Sequence, residues 1–126
     1  MKATLRIKRI HEPVEPDDGA RFLVDRLWPR GVSKEKAALT GWLRVLSPSD
    51  MLRKLYHGET GDSDAAWDAF RKAYADELEI GGPDIARALA ELDAARASGP
   101  VTLLYAAKNE ARNNAVALKA WIEALH

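Results

Sequence analysis

Leu5, Ile7 and Ile10 stand among Arg6, Lys8 and Arg9, a near alternation that predicts a first strand over about residues 3 to 9 with one wet face. The segment His11-Glu12-Pro13-Val14-Glu15-Pro16-Asp17-Asp18-Gly19-Ala20 holds two prolines and an Asp-Gly signal, which predict a loop or a single helical turn. A second strand is expected over about residues 21 to 26. Ser33 is a good N-cap for a short helix beginning Lys34-Glu35-Lys36, and Thr40 is expected to cap a second turn that buries Trp42, Leu43 and Leu46. Ser47-Pro48-Ser49-Asp50 matches a capped start with proline in the first helical position. Met51, Leu52 and Leu55 then fall on an inner face until Gly58, and residues 58 to 62 form a polar loop. From Ser63, the helical spacing of Trp67, Phe70, Tyr74 and Leu78 predicts a helix with a packed inner stripe, stopped by Gly81-Gly82-Pro83. The next helix is expected to bury Ile85, Leu89 and Leu92 and to close at Gly99-Pro100. Val101 to Tyr105 is short and nearly all apolar, the signature of a strand covered on both faces, and it is expected to be central. A last helix over about residues 110 to 125 places Ala115, Leu118, Ile122 and Leu125 on one stripe, with Val116 and Trp121 beside it.

The order of two strands, several helices, a strand and a helix favours a small α/β layer sandwich. The chain has 126 residues and shows no internal repeat or interdomain linker, so one domain spanning 1–126 is expected. The longest apolar runs are too short to cross a bilayer, and Lys2 and Arg6 interrupt any secretory signal, which makes the expected address cytoplasmic. With no cysteine, disulfides, thiolate-ligated zinc, iron–sulfur clusters and a cysteine nucleophile are excluded. Nineteen basic against nineteen acidic side chains argues against a dedicated duplex-DNA binder, while leaving room for a local basic patch. No Gly-rich phosphate loop follows the first strand and no G-x-S-x-G elbow is present, so neither a common nucleotide fingerprint nor a serine nucleophile is indicated.

Two segments carry apolar strands into polar turns: Phe22-Leu23-Val24-Asp25-Arg26-Leu27-Trp28-Pro29-Arg30-Gly31, and Val101-Thr102-Leu103-Leu104-Tyr105-Ala106-Ala107-Lys108-Asn109. In these runs, and in Lys8-Arg9, Ser33-Lys34, Ser47-Pro48-Ser49 with Leu52-Arg53-Lys54, His57-Gly58 and Trp67-Phe70-Tyr74, the chain resembles the YeaO-like family over almost its whole length. That family sits in a larger group known as a domain of unknown function, so the resemblance implies no reaction. It does imply a compact α/β fold with a parallel sheet, in which residues 11 to 20 replace a crossover helix. The fold expected is thus a small three-layer sandwich, a short, mostly parallel sheet flanked by helices. In such sheets ligands bind beyond the carboxyl ends of the strands, here the segments at 9 to 12, 25 to 31 and 105 to 114.

Arg26 and Arg30 lie four apart around the Trp28-Pro29 turn, where planar guanidiniums suit bidentate capture of phosphate or carboxylate, with Arg9 or Lys108 adding charge. The competing reading has these arginines bonding Asp25, Asp50 or helix carbonyls to stiffen the turn. Asp25 either orients an arginine or moves a proton. Trp28 either stacks on a ligand or packs beneath its loop, and Tyr105 either offers its phenol or is a hydrogen-bonded structural tyrosine. Lys108-Asn109 and Asn113-Asn114 lead into the last helix, whose free N–H groups favour an anion, with Asn109 as a compatible N-cap. His11 and His57 lack metal-ligand spacing and would join Glu12 and Glu59 in a site only if the fold brought them together, so no metal or cofactor is expected. His11, at a strand end, is the better candidate acid or base.

These groups suit three functions: an enzyme of small phosphorylated or nucleotide-like substrates, a non-catalytic module for a phosphate-bearing ligand or nucleic-acid end, and a protein-binding edge. Relatives of the family often read Asn-His where this chain reads Asn113-Asn114, and the missing imidazole shifts weight toward binding.

Overall fold

The computed structural model describes residues 5–57 and 63–125. Among these residues four strands, β1 (Leu5–Arg9), β2 (Ala20–Leu23), β3 (Gly41–Trp42) and β4 (Val101–Tyr105), form a wholly parallel sheet in the order β1-β4-β2-β3. Leu5 stands opposite Val101 on one side of β4 and Ala20 opposite Val101 on the other. Flanked on both sides and covered on both faces, β4 is the central strand its apolar run predicts, and all five of its residues are buried. The helices are α1 (Lys34–Ala37), α2 (Asp50–His57), α3 (Asp64–Ile80), α4 (Pro83–Ser98) and α5 (Asn114–Ala124).

Strand alternation divides the core between the two faces. Leu5, Phe22, Val24, Val101, Leu103 and Tyr105 join the larger core with α2, α3, α4 and α5. Leu23, Leu104, Ile10 and Ala37 make a smaller one, covered by Trp28, Val32 and Leu39 rather than by long helices. The aromatic stripe of α3 packs as its spacing requires: Tyr56 stacks on Phe70 at 4.8 Å, and the fully buried Tyr74 donates its hydroxyl to the Leu46 carbonyl.

No helix joins β1 to β2; residues 10 to 19 make a loop with one 3-10 turn at Pro16–Asp18. A buried charge cluster holds that turn to the sheet. Asp18 accepts from Arg21 Nη1 at 2.5 Å and from Lys8 Nζ at 3.1 Å, while Arg21 Nε and Nη2 donate to the Ala37 carbonyl at 3.1 and 2.9 Å. Thr102 of β4 donates its hydroxyl to the Asp18 carbonyl at 2.7 Å.

Several local expectations are corrected. β2 stops at Leu23 instead of 26, although the Val24 N–H still donates to Leu104 O at 3.1 Å. Thr40 caps no helix: its hydroxyl accepts from Arg21 N at 3.0 Å, and Gly41–Trp42 becomes the edge strand β3, leaving Trp42 exposed while Leu43 and Leu46 are buried. Ser49, not Ser47, caps α2, its Oγ accepting from Leu52 N at 3.2 Å, and Met51 points outward. The last helix starts at Asn114 with Asn113 as N-cap, and Leu125 is exposed beyond its end. The strand residues expected at 3 and 4, the loop at 58 to 62 and Glu59 lie outside the described residues.

Candidate functional site

Beyond the carboxyl ends of the adjacent strands β2 and β4 opens a cleft of about 530 Å³, within the range of small-molecule sites. Asp25, Arg26 and Leu27 reach it from the segment after β2, and Ala106, Ala107 and Lys108 from the segment after β4. Arg53 and Tyr56 of α2, Phe70 of α3, Arg112 and Asn114 complete its wall with Pro48 and Asn109.

Asp25 is placed by the sheet itself, since it lies two residues past the end of β2 and bonds across to the residue that follows β4. Its Oδ2 accepts from the Ala106 N–H at 3.0 Å and its Oδ1 from Asn114 Nδ2 at 3.1 Å. The Asn114 amide also donates to the Val24 carbonyl at 3.0 Å, so the first turn of α5 is clamped to the end of β2. Among the described residues no lysine, arginine or histidine forms an ion pair with Asp25. Burial pushes its carboxyl above the ordinary aspartate value, against the hydrogen bonds from Asn114 and Ala106 and the nearby charge of Arg53.

The cleft's cations differ in their freedom. Arg26 Nε and Arg53 Nη2 share the Asp50 carboxylate at 3.2 and 3.4 Å, and Arg112 pairs with Asp64 at the start of α3. Lys108 is exposed and forms no ion pair among the described residues. Arg53 and Arg112 escaped the sequence reading. For Arg53 the sequence offers only a place in a family motif and an Asp50–Arg53 spacing common on any helix, and Arg112 reaches the cleft through a turn whose path depends on tertiary packing.

Arg9, His11, Trp28, Arg30, Tyr105 and Asn113 lie outside the cleft lining. Arg30 is exposed. Arg9 braces the segment after β4, donating from Nε to Ala107 O at 3.0 Å, and its Nη2 lies 3.4 Å from Nδ1 of the exposed His11. Trp28 donates its indole N–H to Val32 O at 2.7 Å and meets Trp42 edge-on at 5.5 Å, so its ring packs beneath the loop. Tyr105 is buried, which raises its phenol pKa together with the charges of Glu110 and Glu12, while Arg9 and a hydrogen bond from Asn113 oppose the rise. Asn113 caps α5 through Val116 N at 3.0 Å. Asn109 is displaced from the helix cap and closes the preceding turn instead, its Oδ1 accepting from Ala111 N and Arg112 N at 2.9 Å each. Of the expected convergence, the fold therefore brings together Asp25, Arg26, Lys108 and Asn114. Arg26 takes Asp50 as its carboxylate, not Asp25. Among the described residues no group of three or more His, Asp or Glu side chains is placed to hold a metal ion. No helix there is long and apolar enough to cross a membrane.

Fold and cleft together define a small parallel α/β protein with a crevice of mixed charged and apolar lining past its two inner strands. The chain belongs to the family described as the inactive DUF488-N3 subclade, whose model matches residues 4–126. It is 42% identical over 124 residues to the uncharacterized protein YeaO of Escherichia coli, covering 96% of this chain and 98% of that protein. It is 37% identical over 114 residues to the uncharacterized proteins Mb3100c of Mycobacterium bovis and Rv3073c of Mycobacterium tuberculosis, covering 90% of this chain and 89% of each. No solved structure matches the chain. The YeaO-like resemblance read from the sequence motifs is the family found.

Proposed function

We propose that this protein is a single-domain, cytoplasmic, non-catalytic binding module whose cleft takes a small phosphate-bearing ligand. The observation that carries the reading is Lys108, a cation without an internal carboxylate partner among the described residues, on the wall of a cleft that also holds Arg26 at the strand ends. An anion there gains charge-assisted hydrogen bonds without first breaking an ion pair to Lys108. Binding is preferred to catalysis because the side chain bonded to Asp25 is the Asn114 amide, which cannot act as a general acid or base near neutral pH. The family's own description as inactive agrees with that preference. The balanced net charge disfavours nucleic acid as the partner.

Calorimetric titration with phenyl phosphate at low ionic strength tests the reading. Ligand at about 100 times Kd is expected to stabilise the protein by about 2.7 kcal/mol, with p-nitrophenyl phosphate left unhydrolysed. Lys108→Ala is expected to abolish most of this stabilisation and Arg30→Ala to preserve it. Equal binding by wild type and Lys108→Ala would overturn the proposal, and turnover would restore the enzymatic reading.

A further inference from the structure

We propose that the ligand of this cleft is bipolar, a small phosphorylated amine whose ammonium group sits on Asp25 while its phosphate lies among Lys108 and Arg26. The inference rests on the anion-binding reading and adds the class of molecule.

Asp25 carries the argument. An ionised carboxylate offers about four acceptor positions, and the protein fills two of them, one on each oxygen, with the Ala106 N–H and the Asn114 amide. Both partners are neutral, and both use their hydrogens. Burial disfavours the charge, and both bonds oppose that burial because the ionised form accepts them with either oxygen. The result is a partly buried negative charge that lines the cleft and has no ion-pair partner among the described residues. Such a charge is costly unless a cation compensates it. Arg53, on the same cleft wall, acts on Asp25 only through space. Among the described residues no cation lies within bonding distance, and an ammonium group with three donors would satisfy the positions still open.

The rest of the cleft has the opposite polarity. Lys108 and Arg26 come from the segments that continue past Asp25 and β4, so positive groups flank the anionic position within one crevice. Tyr56 and Phe70 line the same cleft and give it apolar surface for the carbon skeleton of the ligand. A simple phosphate would leave the Asp25 charge unpaired and would meet its repulsion. A simple amine would leave Lys108 unpaired. One molecule carrying both groups resolves both.

Phosphoethanolamine and propyl phosphate differ only by an ammonium in place of a methyl group, and titrating both into the wild-type protein requires no substitution. Phosphoethanolamine is expected to bind at least about tenfold more tightly, because its added contact is charge-assisted. In Asp25→Asn that preference is expected to collapse to within about twofold, with propyl phosphate affinity retained or improved. Equal affinity of the two compounds for wild type would overturn the bipolar ligand while leaving the anion cleft standing. Failure of both to bind would remove the anion cleft itself. Vesicles of phosphatidylethanolamine in phosphatidylcholine separate the sources of this chemistry. Protein left in the supernatant, with phosphoethanolamine still bound in solution, assigns the ligand to the free pool; Asp25-dependent sedimentation assigns it to a lipid headgroup.

Discussion

Replacing Asp18 by asparagine removes the anion from a buried cluster without changing its shape. The side chains of Asp18 and Arg21 are only 6% and 4% exposed, and their ion pair spans 2.5 Å. Lys8 retains Glu15 at 3.0 Å, but Arg21 keeps the Ala37 carbonyl and loses its anionic partner. Breaking one side of a buried pair costs about 3 to 5 kcal/mol, and the surviving bonds to Ala37 place this case near about 3 kcal/mol. At about 2.1 cal/mol/K of unfolding entropy per residue, a chain of 126 residues loses about 4 °C of Tm per kcal/mol, so a drop of about 12 °C is expected. The pH dependence has a definite sign. Burial works to raise the Asp18 carboxyl, but bonds from Glu15, Lys8 and Arg21 outweigh it and hold the native-state value below the ordinary one. The native state thus binds its proton less readily than the unfolded chain, and the stability gained is full above the unfolded value and lost as pH falls below about 4. Urea unfolding of wild type and Asp18→Asn at pH 7 and pH 3 reads both effects, with the gap between the two proteins narrowing in acid. The double variant Asp18→Asn with Arg21→Met is expected to recover much of the loss, since neither charge remains. A loss below about 1 kcal/mol at pH 7, or a gap independent of pH, would refute the reasoning.

Gly19→Ala is expected to cost at least about 3 kcal/mol in chemical unfolding, because Gly19 has φ of +65° and an added Cβ would drive into the Pro100 carbonyl. Retention of wild-type stability would show that the loop and β4 move apart freely. Trp28→Phe is expected to cost about 1 to 2 kcal/mol through the lost bond to Val32, with phenyl phosphate affinity unchanged. Lost affinity at unchanged stability would instead place the indole in the binding site.

The site was legible as a region and only partly as a list of residues. Strand-to-turn punctuation located Asp25, Arg26 and Lys108, because each follows an apolar run that stops where the sheet stops. The same argument over-reached at Arg30 and Trp28. Once the chain leaves a strand, nothing local states which way a turn folds, and here Trp28 covers the smaller core. Asn113 and Asn114 show the limit most plainly. They are neighbours of one residue type, yet Asn113 caps a helix while Asn114 reaches across to Asp25, which lies 89 positions away in the chain.

What the sequence determined by itself is what depends on near neighbours: the central apolar strand, the helical spacing of Trp67, Phe70, Tyr74 and Leu78, the Ser33 cap, and the family. Periodicity and capping act over a few residues, so the chain carries them openly. The tertiary structure decided which charges meet. Asp50 takes both Arg26 and Arg53, Asp64 takes Arg112, and Asp25 and Lys108 are left without ion-pair partners among the described residues. An ion pair needs approach to a few ångströms between groups far apart in sequence, and only the packing of helices against the sheet sets those distances.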